Sequence, residues 1–209
     1  MCGICGIINK CGSAVSAPSI CRMNDLAAHR GPDGSGTFHA TGIALGHRRL
    51  AILDLNPRGA QPMAWGSHLQ IVFNGEIYNY RELKKELQAL GAEFRTNSDT
   101  EILLLGYRHW GDGFVDRLAG MFAFALWDPL KDRLLIVRDR FGKKPVFLHR
   151  RDGLVAFASE IKALLVLPGV ERALDREARR AFMHTVKLKT LDPCVVMRVL
   201  SLSLIHISE

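Results

Sequence analysis

The chain has 209 residues, 48% hydrophobic and 23% charged, with a formal charge of +7; this suits one ordinary globular domain with room for an appended piece. No stretch approaches the roughly 20 apolar residues of a membrane span, and the start lacks the basic-then-apolar run of a secretory signal, so a cytoplasmic protein is expected. The basic residues are scattered as short pairs such as Arg48-Arg49 and Lys84-Lys85 among acids, the pattern of a solvated face and not of a nucleic-acid surface.

Gly3 to Asn9 is apolar around glycines and reads as a strand buried on both faces, followed by a loop through Pro18 and a short helix near Ile20 to Ala28. The run Arg30-Gly31-Pro32-Asp33-Gly34-Ser35-Gly36 cannot be helix or strand throughout and reads as a shaped loop. Strands are predicted from Thr37 to His39, from Ile43 to Leu53, and from Leu69 to Phe73, the last stopping at Asn74-Gly75.

Between Tyr78 and Leu90 the residues Tyr80, Leu83, Leu87 and Leu90 share one helical face, and Gly91 ends the helix. Ser98-Asp99-Thr100-Glu101 has the spacing of a capping box, in which Ser98 and Glu101 satisfy each other's free backbone donors, ahead of a helix through Ile102 to Trp110. Met121 to Trp127 and Leu134 to Val137 form a hairpin about Asp128-Pro129, and Val146 to His149 pairs with Leu154 to Ala158 about Arg151-Asp152-Gly153. Helices near Glu160 to Leu165 and Arg176 to Lys187 follow. Antiparallel strands with helices gathered between them favour a layered α+β fold.

The last stretch differs in kind. Val195 to Ile207 is apolar apart from Arg198, His206 and scattered serines, with no following element to pack against. Residues 1–190 are therefore read as one domain and 191–209 as an aberrant or truncated tail.

Five cysteines, Cys2, Cys5, Cys11, Cys21 and Cys194, make an odd count without an export signal, which argues against a disulfide framework. Zinc normally takes four ligands, and Cys2-X-X-Cys5 has no second pair at matching spacing, so no metal is expected. A redox pair belongs at a helix N-terminus, where the dipole lowers the thiol pKa, but Cys5 leads into a strand. Cys2 is distinguished by its position. Removal of Met1 would leave a thiol and a free α-amine on one residue, and an α-amine with its ordinary pKa near 8 can serve as the base for its own thiol.

The strings MCGI at 1–4, RGPDGSG at 30–36, GHRRLAILDL at 46–55, FNGEIYNY at 73–80, TNSDTEILL at 96–104, LAGMFAFALWD at 118–128, RDRFGKKP at 138–145 and FASEIKAL at 157–164 occur in this order. Over residues 1–165 the chain resembles the N-terminal glutaminase domain of glutamine-hydrolysing asparagine synthetases, a class II glutamine amidotransferase. The resemblance implies a four-layer αββα sandwich of the N-terminal-nucleophile hydrolase type and hydrolysis of glutamine to glutamate and ammonia through a thioester. Cys2 matches the nucleophile, and Asn74 and Gly75 match the oxyanion hole, although Asn-Gly taken alone is most often a hairpin turn. Arg49 matches the ligand of the substrate carboxylate and Asp99 that of its α-amine, with Glu76 and the backbone of Leu50, Ile52 and Leu53 lining the same site. Arg48 is expected on the opposite face.

A Ser-Gly-Gly-X-Asp-Ser phosphate loop is absent from the sequence. The expected activity is thus glutamine hydrolysis without a cofactor, ATP and magnesium being needs of a synthetase domain that this chain lacks and that normally follows in the same chain. Glutamine is the expected partner, with no nucleic acid and no membrane; a homo-oligomer is left open. The rival within the enzyme class is the glutaminase domain of another class II amidotransferase, against which FNGEIYNY and RDRFGKKP weigh. The rival outside it is a non-catalytic cysteine-containing module, against which the filled nucleophile, oxyanion and substrate positions weigh.

Overall fold

In a computed structural model, residues 1–9, 14–52, 55–66 and 68–170 are described. The first sheet is built from β1 (Gly3–Asn9), β2 (Gly34–Ala40), β3 (Ile43–Arg49), β8 (Phe147–Arg151) and β9 (Leu154–Ala158), in the order β2-β3-β1-β9-β8. The second comprises β4 (Met63–Trp65), β5 (Leu69–Ile77), β6 (Gly120–Asp128) and β7 (Arg133–Arg138), in that order. Every pairing between these strands is antiparallel. The helices are α1 (Ala17–Leu26), α2 (Tyr80–Ala89), α3 (Asp99–Trp110) and α4 (Ile161–Leu164). Among the described residues, no helix is long and apolar enough to cross a membrane.

Three apolar layers show how these elements stack. Ile4, Leu45, Val72, Ala125, Ile136 and Phe157 fill the space between the two sheets. Cys5, Ile7, Ile20, Met23, Ala158 and Leu164 join α1 and α4 to the outer face of the first sheet. Phe73, Leu83, Leu87, Leu103 and Phe124 join α2 and α3 to the outer face of the second. The result is the expected αββα sandwich, with strand alternation deciding which layer each side chain enters.

Several boundaries differ from expectation for identifiable reasons. The helix predicted from Ile20 starts at Ala17, because Pro18 sits in the first turn, where a missing N–H is tolerated. The glycine-rich loop ends early, since Gly34, Ser35 and Gly36 already pair with Arg49, Arg48 and His47. The strand expected to reach Leu53 stops at Arg49; the Leu50 N–H instead donates to the sulfur of Cys2. The strand expected to stop at Asn74-Gly75 continues to Ile77, because β6 supplies partners as far as Gly120. A side chain at Gly75 would place its Cβ 2.3 Å from the Met121 carbonyl oxygen, so the glycine serves a close approach of strands and not a turn.

The predicted capping box is half formed. Ser98 Oγ accepts the N–H of Thr100 at 3.2 Å, but Glu101 reaches past it to accept those of Arg95 and Thr96 at 2.8 Å each. The short strand β4 was not predicted, three residues being too few to show a period. The helix expected at 176–187 and the tail 191–209 lie outside the described residues.

Candidate active site

Alternation along three strands brings the predicted residues to one end of the inter-sheet space. On β1, Ile4 faces the second sheet and Cys5 faces α1, so Cys2, one step of two before Ile4, lies on the inter-sheet side. On β3, Leu45 faces inward, and Arg49 follows it at an even spacing. Arg48 takes the opposite face, where its guanidinium meets the carbonyl of Asn24 at 3.0 Å and the carboxylate of Asp25. On β5, Val72 faces inward, and Asn74 and Glu76 follow it.

These side chains meet at a cavity of about 240 Å³. Cys2, Arg49, Leu50, Ile52, Asn74, Gly75, Glu76 and Asp99 all line it. Leu53 lies outside the described residues. Met1, half exposed, also lines the cavity and is joined to the amine that a free Cys2 would present.

Cys2 is held from several sides. Its sulfur accepts the Leu50 N–H at 3.3 Å and lies 3.6 Å from the Leu50 carbonyl oxygen, while its own carbonyl accepts Nε of Arg30 at 2.9 Å. The Arg30 guanidinium continues to Glu160 at 3.1 Å. Burial alone would raise the Glu160 carboxyl, but hydrogen bonds from Lys162, Arg30 and His29 overcome it and hold the group down at about 2. A permanently charged pair thus anchors the backbone of Cys2.

The oxyanion candidates follow from the hydrogen-bond phase of β5. The Tyr78 N–H donates to the Ala119 carbonyl, and in an antiparallel ladder such pairing recurs every second residue, so Asn74 and Glu76 bond to β6 while Phe73, Gly75 and Ile77 turn their backbone groups to the other edge. Among the described residues, that edge has no strand beside it past Ile71, where β4 begins. Phe73 and Ile77 find side-chain acceptors, Gln61 and Asp99. The Gly75 N–H points to the same edge, at the cavity. Beside it, Asn74 is 1% exposed, and its Nδ2 has no hydrogen-bond partner among the described residues. A buried amide donor left unmade costs about 1–3 kcal/mol, so its retention calls for a transient partner.

Asp99 opens α3 and is 5% exposed. Burial pushes its carboxyl up to about 6; the N–H groups of Ile77, Thr100 and Asp99 itself pull the other way, and Glu76 adds repulsion. An incoming ammonium would relieve that burial penalty. Arg49 extends from the end of β3 and donates from Nη1 to the Asn56 carbonyl at 3.1 Å, which ties the end of that strand to Asn56.

Gln61 and Lys144 are among the lining residues that were not anticipated. Gln61 is buried at the cavity wall; its turn-rich surroundings carry no periodic signal. Lys144 is also buried at the wall, and among the described residues its ammonium forms no ion pair. Its loop is gathered by Asp139, whose carboxylate accepts the N–H groups of Phe122, Lys143 and Lys144. The run RDRFGKKP signals this loop but not that Lys144 turns inward.

The sequence profile of the glutamine amidotransferase domain matches residues 1–208. The chain is 43% identical over 187 residues to asparagine synthetase [glutamine-hydrolyzing] 1 of Bacillus subtilis, a match covering 88% of this chain and 29% of that protein. It is 42% identical over 180 residues to asparagine synthetase [glutamine-hydrolyzing] 3 of the same organism, covering 84% and 29%. The chain thus spans under a third of the length of these relatives. Among solved structures, glutamine phosphoribosylpyrophosphate amidotransferase from Bacillus subtilis superposes with a TM-score of 0.65 at 23% identity, covering 78% of this chain and 43% of that one. This last likeness carries the fold alone.

Proposed function

The chain belongs to the glutamine amidotransferase domain family, and from that premise we propose that it hydrolyses the side-chain amide of glutamine, with Cys2 as an N-terminal nucleophile. The observation that carries the reading is the buried Nδ2 of Asn74, unpartnered among the described residues, in the cavity that Cys2 lines. A donor without a ground-state partner is what an oxyanion formed only during reaction requires.

After loss of Met1, the free amine of Cys2 takes the thiol proton and the sulfur attacks the amide carbon of glutamine. The carbonyl oxygen becomes an oxyanion between Asn74 Nδ2 and the Gly75 N–H. The amine returns the proton to the departing nitrogen, ammonia leaves, and a thioester remains. Water, activated by the same amine, cleaves the thioester to glutamate and restores the thiol. The steps close on Cys2, its amine and water, without a further cofactor.

Arg49 is suited to the substrate carboxylate and Asp99 to its α-amine, with Glu76 and the backbone of Leu50 and Ile52 completing the pocket. In a protein as long as these relatives, the ammonia would pass to a synthetase domain, a reading that their names, glutamine-hydrolyzing asparagine synthetases, support; ATP and magnesium would be needs of that domain.

Glutamate and ammonia release from glutamine tests the reading, alongside the mass of the intact chain. Release in equal amounts by protein lacking Met1, and none by Cys2→Ala, is the expected result. Release by protein that retains Met1 would defeat the free-amine mechanism.

A further inference from the structure

Beyond Ile71 the strand β5 has lost its neighbour β4, yet both backbone groups of Phe73 on that bare edge are satisfied, each by a side chain. The Phe73 N–H donates to Gln61 Oε1 at 2.6 Å, and its carbonyl accepts His47 Nε2 at 3.1 Å. The other end of the Gln61 amide donates to Thr100 Oγ1 at 3.1 Å. One buried amide therefore links three pieces of the cavity: the segment after Arg49, the residue before Asn74, and the helix start that carries Asp99.

Peptide planes are rigid, so bonds on the N–H and C=O of Phe73 fix the planes on both sides of its Cα and hence the direction in which Asn74 leaves the strand. Oxyanion donors act over a few tenths of an ångström, and they act only if their aim is set before reaction. The placing of Gln61 is itself built. On the neighbouring sheet, a Cβ at Gly36 would lie 2.1 Å from the Gln61 carbonyl oxygen, so β2 gives way to this residue with a glycine.

We propose that Gln61 is a positioning residue for glutamine hydrolysis: by holding Phe73 it aims Asn74 Nδ2 and the Gly75 N–H at the oxyanion, in step with the helix start that receives the α-amine. The inference rests on the glutaminase reading above and adds to it a residue that touches no reacting atom. Gln61 stabilises the transition state through Asn74, so its loss lowers kcat and leaves glutamine binding nearly unchanged.

The test is steady-state glutamine hydrolysis by the full chain carrying Gln61→Met, which fills the space without either hydrogen bond, Gln61→Glu, or Gly36→Ala. Gln61→Met should lower kcat by about 10- to 100-fold, the kinetic equivalent of one unpaired buried donor, with KM changed less than about 3-fold. Gln61→Glu should recover most of kcat, because a carboxylate still accepts the Phe73 N–H and the Thr100 hydroxyl can turn its proton toward it. Gly36→Ala, outside the cavity, should move kcat in the direction of Gln61→Met and takes its place if that variant does not fold. In an Asn74→Ala background, either change should cost less than about 2-fold more, since the residue through which Gln61 acts is already gone. Unchanged kcat, a KM effect alone, or losses that multiply with Asn74→Ala would each overturn the inference while leaving the glutaminase reading intact. Absence of hydrolysis by the unsubstituted protein would instead sink both.

Discussion

The Asp99 carboxylate accepts the N–H of Ile77 at 3.1 Å, which ties the first turn of α3 to the end of the strand that carries Asn74. The bond holds the proposed amine-binding group at a set distance from the proposed oxyanion donors. It also gives Asp99 a titration that binding must feel. Burial raises its carboxyl to about 6, and only the ionised form can pair with the α-ammonium of glutamine. The slope of log kcat/KM against pH should therefore steepen by one unit below about pH 6. At saturating glutamine the bound ammonium pulls the carboxyl down, so kcat should lack this limb. Asp99→Asn should raise KM by about 100-fold and abolish the limb; a kcat/KM profile whose slope does not change near pH 6 would remove Asp99 from the pocket.

Asn74 separates function from stability. Its Nδ2 is buried without a partner among the described residues, so truncating it removes an unmet desolvation cost along with the side chain. Asn74→Ala should lower kcat by about 100- to 1,000-fold, the loss typical of one oxyanion donor, with KM little changed. Its urea midpoint should match or exceed that of the unsubstituted chain. A clear drop in stability would mean that Asn74 bonds within the fold and is not held in reserve.

Much of this site was legible through the family resemblance of its strings, and part of its arrangement through local rules. The position behind Met1 was enough to separate Cys2 from Cys5, and strand alternation along Ile43–Arg49 to separate Arg49 from Arg48. Asn74-Gly75 misled as an isolated dipeptide, because its extended state comes from β6, whose residues lie almost 50 positions later in the chain. The glycines of 30–36 were recognised as shaping residues, but the partner of Gly36 is the backbone of Gln61, which no local pattern announces. Gln61 itself bonds to residues 12 and 39 positions away. Such contacts exist only after two sheets and a helix have met.

Cys2 and Cys5 should behave as unrelated thiols. Cys5 is 1% exposed, packed with Ile20 and Met23 against α1, and burial pushes its thiol up, away from the reactive thiolate. Cys5→Ala should leave kcat within about 2-fold and lower stability by about 1 kcal/mol through the small void it creates. Cys2→Ala should leave the urea midpoint in place and abolish hydrolysis. Equal loss of activity from both changes, read by glutamate release, would restore a metal or redox pairing of the two.

Acid stability should expose two buried groups acting in opposite directions. His47 lies wholly buried between the sheets, and burial lowers it to about 4, while its hydrogen bond to the Phe73 carbonyl opposes the shift. Its folded pKa is depressed, so below about pH 6.5 the unfolded chain takes up the proton first and stability is lost as pH falls from about 6.5 toward 4. Asp99 has a raised folded pKa, so between about pH 6 and 4 the folded chain takes up the proton first and stability is gained as pH falls. Each shift corresponds to about 3 kcal/mol at most, at 1.36 kcal/mol per unit, and the two nearly cancel. Urea midpoints of the unsubstituted chain should therefore change little between pH 6.5 and 4.5. Asp99→Asn leaves His47 unopposed, and its midpoint should fall across that interval. His47→Gln leaves Asp99 unopposed, and its midpoint should rise. Slopes of the same sign in the two variants would show that at least one of these groups is not buried in the protonation state assigned to it.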